Sequence, residues 1–305
     1  RHNMVEALRK LAQKEETQGG SSDGKGEQTA VNGESNLIAV SRVLVAEDNL
    51  INQDVVKTIL EKNGHSVELV GTGSAVLKKL QSDEYDLILM DIQMPEMDGI
   101  TATREIRKGQ DGIKNPKIPI IALTANAMQG NQQQYINAGM NDYISKPIDQ
   151  AELLSKIKIW GSQKTPNVRK VQSEAPVVEK LAQQETTVVI DFDSLLARVV
   201  NDPSVALRLL DKMEKKIDAD VAEINRVIME HDGEQVEFLA HRLKSGAGNL
   251  SAEPLRAALA KLESLGRSEK WNEIASCFNV VKHEAKRFRL EAVRIIDEKT
   301  NGDGS

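Results

Sequence analysis

Cysteine is nearly absent: Cys277 is the only one in 305 residues. That excludes a disulfide framework within the chain and fits a reducing compartment. Aromatic residues make up only 3% of the chain, so any core must be built from aliphatic side chains. No apolar run approaches the roughly 20 residues that span a bilayer, and no signal-peptide pattern opens the chain. No direct membrane contact is expected from this segment. Positive charge is not in excess, the formal net charge being −6, and no helix looks like a basic reading element. A nucleic-acid partner is therefore not expected. Zinc is not expected either, because no Cys/His ligand spacing exists. What remains, 40% hydrophobic and 28% charged, describes ordinary soluble globular protein. The length leaves room for about two domains. Arg1 stands where a whole protein would have Met, which is expected of a piece of something longer. The expected location is the cytoplasm, with any membrane anchor lying outside this segment.

Two stretches cannot bury a core. Lys14–Ser41 is rich in Gly, Ser, Glu and Gln, and Gly161–Thr187 is polar with scattered Pro and no apolar period. They divide the chain into an N-terminal segment (1–41), a first domain (42–160), a linker (161–187), a second domain (188–298) and a tail (299–305). Met4–Leu11 is compatible with the last helix of an upstream domain. In the first domain, short apolar runs alternate with amphipathic stretches: Val43–Ala46, Val67–Val70, Leu87–Met90, Ile120–Leu123 and Tyr143-Ile144. Runs of this kind predict strands buried on both faces of a parallel sheet. Five β-α units imply a doubly wound (βα)5 fold. The second domain has no strand signal. Helical patterns run over about Pro203–Glu230, Glu234–Leu250, Pro254–Leu265 and Glu269–Asp297, with breaks at His231-Asp232-Gly233 and Gly266-Arg267-Ser268. Long helices with short breaks predict an antiparallel bundle. The fold class is thus α/β followed by all-α.

In an open parallel sheet, ligands bind outside the carboxyl ends of the strands. Glu47 and Asp48 follow the first strand, Asp91 the third, Thr124 the fourth and Lys146 the fifth. Three carboxylates brought together repel unless a cation joins them. An oxygen-only donor set favours a hard ion such as Mg²⁺. Such an edge suits phosphoryl transfer, which needs positioning and charge neutralisation above all. Asp91 is the expected nucleophile. Asp48 and Asp91 are the expected direct metal ligands, with Glu47 acting through water and Thr124 and Lys146 binding phosphoryl oxygens.

The motifs Val-Ala-Glu47-Asp48-Asn49, Leu-Met-Asp91-Ile-Gln-Met-Pro95-Glu-Met-Asp98-Gly99, Ala-Leu-Thr124-Ala and Ser-Lys146-Pro147 occur in this order. With them, Arg42–Trp160 resembles the receiver domains of two-component systems. The resemblance implies that the backbone carbonyl of Gln93 is a further metal ligand, that Tyr143 is an aromatic switch residue, and that the Lys146–Pro147 bond is cis. Met94, Met97 and Asp98-Gly99 are expected to shape the loop rather than take part in chemistry.

In Glu234–Leu250, a stripe about 100° wide holds Val236, Leu239, Ala240, Leu243, Ala247 and Leu250. His241 lies on the opposite, solvent side, with Ser245 and Gly248 in the same sector and Lys244 beside it. Gly246 and Gly248 each cost about 1 kcal/mol relative to Ala in a helix, which suggests that bareness matters around a nucleophilic imidazole. Lys244 is placed to steady phosphoryl charge. The run Ala240-His241-Arg242-Leu243-Lys244-Ser245-Gly246-Ala247-Gly248-Asn249-Leu250 is similar to the signature of histidine-phosphotransfer domains. Ser245 and Ser251 stand where that family often has Gly. His2, His65, His231 and His283 lack comparable surroundings, and the basic residues Lys282, Lys286, Arg287 and Arg289 read as a solvated face.

Together the two resemblances imply a phosphorelay like the C-terminal part of a hybrid sensor histidine kinase. A histidine kinase domain upstream phosphorylates Asp91, and His241 passes the group to a downstream response-regulator receiver. No ATP-binding glycine boxes and no dimerisation helix of an autokinase are found in the chain. The 27-residue linker, about 30 Å across if coil-like, allows transfer within one chain at millimolar effective concentration. A phosphorylation-switched interaction module and a phosphate sink without forward relay remain open at this level.

Overall fold

The structure, a computed structural model, describes residues 40–125, 129–161 and 188–301. The N-terminal stretch containing Met4–Leu11, and the linker beyond Gly161, lie outside the described residues. Ser41, the last residue read as linker, is already buried, and its backbone N–H donates to His65 Nδ1 at 3.2 Å.

The first domain is a five-stranded parallel sheet in the order β2-β1-β3-β4-β5. Its strands are β1 (Arg42–Ala46), β2 (Ser66–Val70), β3 (Leu87–Asp91), β4 (Ile120–Thr124) and β5 (Asp142–Ser145), each matching a predicted apolar run. The helices are α1 (Leu50–Lys62), α2 (Gly73–Ser82), α3 (Gly99–Lys108), α4 (Gln129–Ala138) and α5 (Gln150–Gly161). The strands are apolar throughout because both faces are covered. Val43, Val45, Leu87, Leu89, Ile121 and Leu123 pack towards α1 and α5. Leu44, Ala46, Ile88, Met90, Ile120 and Ala122 pack towards α2, α3 and α4. This is the doubly wound arrangement. The Lys146–Pro147 bond is cis. Asp98 caps α3, accepting from the Thr101 N–H at 2.6 Å.

The second domain comprises a short helix α6 (Phe192–Arg198) and four long ones: α7 (Pro203–Met229), α8 (Gly233–Asn249), α9 (Glu253–Arg267) and α10 (Trp271–Asn301). Asp191, Asp202 and Asp232 cap α6, α7 and α8, each through a side-chain oxygen. Periodicity located the long helices within a few residues. The last of them runs to Asn301, past the predicted tail boundary at 299. The apolar cluster on the α1/α5 side of the sheet continues without interruption into the bundle core around Leu209, Leu243, Leu259 and Phe288. None of the described helices is long and apolar enough to cross a membrane.

The break expected at Gly266-Arg267-Ser268 is where α9 ends, at Arg267 with Ser268 as its C-cap, and Gly266 is the last residue but one of the helix. It is there because the start of α8 passes against it. A Cβ at Gly266 would stand 2.9 Å from the Glu237 backbone nitrogen and 2.9 Å from Val236 Cγ1. Gly233 is its counterpart: a Cβ there would meet the Gly266 carbonyl oxygen at 2.9 Å. Replacing a mid-helix glycine by alanine ordinarily stabilises by about 1 kcal/mol. At position 266 the sign reverses, since the backbones must move apart: Gly266→Ala is expected to destabilise by about 1–3 kcal/mol, read as a lower urea midpoint. A midpoint at or above that of the unaltered protein would refute the close approach.

Candidate functional site

Parallel register places the strand ends at one edge, and the predicted residues meet there. Glu47 and Asp48 follow β1, Asp91 closes β3, Thr124 closes β4 and Lys146 follows β5. One ligand oxygen from each of Glu47, Asp48 and Asp91 lies within 4.8 Å of the others. Lys146 sits among them, its Nζ 2.6 Å from Asp91 Oδ2 and 2.7 Å from Glu47 Oε2. Glu47 Oε2 is fully buried and, though within ion-pair distance of Lys146, receives no properly directed hydrogen bond.

The electrostatics follow from burial. Asp48 is pushed up to about 6 by burial first and then by the Glu47 charge. Asp91 is raised well above the usual carboxylate range, again by burial and then by Glu47. Burial alone would lower the Lys146 ammonium, but the charges of Asp91 and Glu47 outweigh it and hold it above its usual range. An orphaned carboxylate oxygen among strained acids is the surrounding that a hard divalent cation relieves. The donor set fits such an ion.

The remaining residues of this edge are placed as follows. The Gln93 N–H donates to Asp91 Oδ1 at 3.3 Å. Thr124 Oγ1 and Tyr135 Oη share a buried hydrogen bond of 2.9 Å. Tyr143 is half-buried at the edge of the sheet, accepts from Gln132 Nε2 at 2.7 Å, and has Lys156 over its ring.

His241 requires a correction. It was expected on the solvent side of its helix, but it is only 7% exposed. The helical wheel was right about α8 and its own bundle, where the apolar stripe does face inward. The opposite sector is covered by neighbours the wheel does not contain: α9 and the edge of the first domain. His241 Nδ1 lies 2.8 Å from Glu263 Oε1, and the other oxygen of Glu263 takes the Lys244 ammonium. Burial is the main cause that lowers the imidazole below its ordinary 6.5, while the bond to Glu263 works the other way. Burial would raise Glu263, but its bonds to His241 and Lys244 prevail and hold it below the usual carboxylate range. An ionised carboxylate accepts hydrogen bonds and cannot donate them. Nδ1 therefore carries the ring proton, and Nε2 keeps its lone pair.

Glu263 was missed by the sequence reading. The signal was there, since Glu263 falls at helical spacing within the stripe of Leu259, Leu262 and Gly266, where a carboxylate needs a partner.

The bare face of α8 admits the edge of the first domain. Asn49 Nδ2 donates to the Arg242 carbonyl at 2.7 Å, and Asn52 Nδ2 to Ser245 Oγ at 2.8 Å. A Cβ at Gly246 would stand 3.1 Å from Asn49 Nδ2, and one at Gly248 3.7 Å from Pro147 Cβ. Between the domains lies a cavity of about 660 Å³, lined by Asp91, Gln93 and Thr124 on one side and by His241, Lys244 and Glu263 on the other.

Comparison with known proteins assigns the two domains to families. Residues 43–158 match the response regulator receiver domain, and residues 208–291 match the Hpt domain. The chain thus carries a receiver domain and, after it, an Hpt domain. It is similar to the sensor histidine kinase GacS of Pseudomonas protegens, 31% identical over 82% of this chain and 27% of that protein. It is also similar to the aerobic respiration control sensor protein ArcB of Escherichia coli, 30% identical over 73% of this chain and 27% of that protein. The chain thus spans about a quarter of the length of these relatives. Among solved structures, the receiver domain of sensor histidine kinase PA1611 from Pseudomonas aeruginosa, which has a magnesium ion in its active-site cleft, is 43% identical over 40% of this chain and 98% of that one, with a TM-score of 0.37.

The environment of His241 in the Hpt domain sets its titration. Its midpoint, followed by ¹⁵N NMR of the ring, is expected below 6.5, with the neutral form protonated at Nδ1. Removing the charge in Glu263→Gln takes away the factor that raises the imidazole, so the midpoint should fall further. A midpoint above 6.5, or a neutral ring protonated at Nε2, would contradict the geometry.

Proposed function

We propose that this chain is a phosphorelay module in which Asp91 accepts a phosphoryl group and His241 then takes it. The observation that carries the reading is the cavity shared by the two nucleophiles across the domain interface. In the first step an Asp91 oxygen attacks the phosphorus of a phosphohistidine on an upstream kinase domain. The P–N bond breaks, and its electron pair returns to the donor imidazole. In the second step His241 Nε2 attacks the same phosphorus. The P–O bond to Asp91 breaks, and the carboxylate is restored. Nδ1 keeps its proton against Glu263, which offsets the positive charge that the ring gains. Lys146 and Thr124 hold phosphoryl oxygens on the receiver side, and Lys244 holds them on the Hpt side. His241 finally passes the group to a separate response-regulator receiver. Similarity to sensor histidine kinases supports kinase and response-regulator partners. The cytoplasm is the location this reading requires.

Magnesium suits the oxygen-only cluster, with Asp48 and Asp91 as direct ligands, Glu47 acting through water, and Gln93 contributing its backbone carbonyl. When bound it neutralises the carboxylates and the phosphoryl oxygens.

The relay is tested by radiolabelled transfer from a phosphorylated histidine kinase. Asp91→Asn should remove all label from the chain. His241→Gln should leave label on the receiver domain and abolish onward transfer. Label on the Hpt domain of the Asp91→Asn protein would exclude the proposed order.

Magnesium binding should also depend on pH in a defined direction. Asp48, at about 6, is protonated below that value, and a proton competes with the ion. Affinity measured by isothermal titration should fall as pH drops from 7 to 5, whereas a flat profile would count against the assigned ligands.

A further inference from the structure

Asn52 was given no role by the sequence, yet it is completely buried where the two domains meet. Its amide nitrogen donates to Glu47 Oε1 at 2.7 Å and to Ser245 Oγ at 2.8 Å. Its Oδ1 accepts from Asn249 Nδ2 at 2.7 Å, and Asn249 Oδ1 in turn accepts from the Ile148 N–H at 3.3 Å. Both donor hydrogens of Asn52 are therefore committed, one to an acid of the cation cluster and one to the Hpt domain. Asn249 is fully buried and Ser245 nearly so. A buried amide group left unpaired costs about as much as a lost hydrogen bond or more, so these partners stand or fall together. Ser245, the residue where the Hpt family often has Gly, thereby acquires a purpose: it supplies the oxygen that glycine lacks.

We propose that Asn52 is a positioning residue that couples cation binding at the acidic edge to docking of the Hpt domain. With the domains docked, Ser245 and Asn249 fix the Asn52 amide, and Asn52 then holds Oε1 of Glu47. One oxygen of Glu47 is thus spoken for, and Oε2 is left for the cluster. Undocking removes two of the three partners of Asn52. Its amide then turns to water, and Glu47 loses its orientation. Because coupling between sites is reciprocal, a cation that orders Glu47 also favours docking. The ends of α1 give an independent handle on docking. Lys62 Nζ lies 2.5 Å from Asp202 Oδ2, and Lys212 pairs with Asp54, all four side chains being partly exposed.

The inference rests on magnesium binding at the acidic edge, so the experiment measures binding directly in the full chain. Magnesium affinity is determined by isothermal titration for the unaltered protein, for the charge-reversed pair Lys62→Glu with Lys212→Glu, for Asn52→Ala, and for the three changes combined. Docking is followed in parallel by hydrogen exchange of the segment 241–249. The charge reversals should speed exchange and weaken magnesium binding by about fivefold, the low end of ordinary coupling. With Asn52→Ala already present, the reversals should still speed exchange but no longer change magnesium affinity. Magnesium should slow exchange in the unaltered protein and not in Asn52→Ala. If the unaltered protein binds no magnesium, the cation reading itself fails. If it binds but the reversals leave affinity unchanged, or weaken it equally with and without Asn52, the coupling role is overturned.

Discussion

Glu47, Asp48 and Asp91 bring three carboxylates to one sheet edge against the single ammonium of Lys146, and the Hpt domain lies over that edge. Charges taken out of water must be paired or hydrogen-bonded. Much of the surrounding structure meets that demand. Asn52 and the Asn49 backbone N–H hold Glu47, the Gln93 N–H holds Asp91, and Lys146 reaches two acids at once. The covering helix is adapted in the same way. The sector of α8 that meets the receiver domain is small and polar, with Ser245, Gly246, Gly248 and Asn249, while the apolar stripe is kept for the bundle.

The receiver domain was readable because its logic is one-dimensional. Each strand is a short continuous apolar run, each candidate site residue comes directly after one, and parallel pairing brings those positions to a single edge without any long-range knowledge. The bundle helices were readable from their period. What escaped depended on neighbours far apart in sequence. A helical wheel compares α8 with a notional core and solvent, so it assigned His241 to solvent; nearly 200 residues separate Asn49 and Asn52 from their partners on α8. Gly266 was read only as part of a helix end, because the close approach of α8 is invisible locally. Helix α6, at seven residues, is too short to show a period. Glu263 is different in kind. Its place in an apolar stripe was visible, and only the rule that a buried acid needs a partner was not applied.

Glu263 reconciles two opposed requirements that the proposed relay places on His241. A nucleophilic imidazole must be neutral, which burial favours, and it must tolerate positive charge once phosphorylated, which burial opposes. A carboxylate on Nδ1 alone would favour the charged ring from the start. Here the same carboxylate is shared with Lys244, and its pull on the ring proton is diluted enough that burial prevails. The pair therefore fixes which nitrogen is free without charging the ring beforehand. Lys244 is also kept at the wall of the cavity that Asp91 and His241 line.

In the proposed relay, the face of α8 that meets the attached receiver domain must also meet a second one. A downstream receiver docking in the same manner needs the ground that Asn49, Asn52 and Pro147 occupy. On that proposal, forward relay requires the two domains to part. The ion pairs flanking the interface are partly exposed and contribute at most about 1 kcal/mol each. Its buried centre holds a hydrogen-bonded network whose members can be satisfied by water on separation, beside an apolar contact, continuous with the bundle core, that separation exposes. The network and the apolar contact divide the work: the apolar contact gives attraction, and the buried amides, left unpaired by a wrong partner, give specificity. That division suits a relay, in which each docking must be selective but none should be permanent.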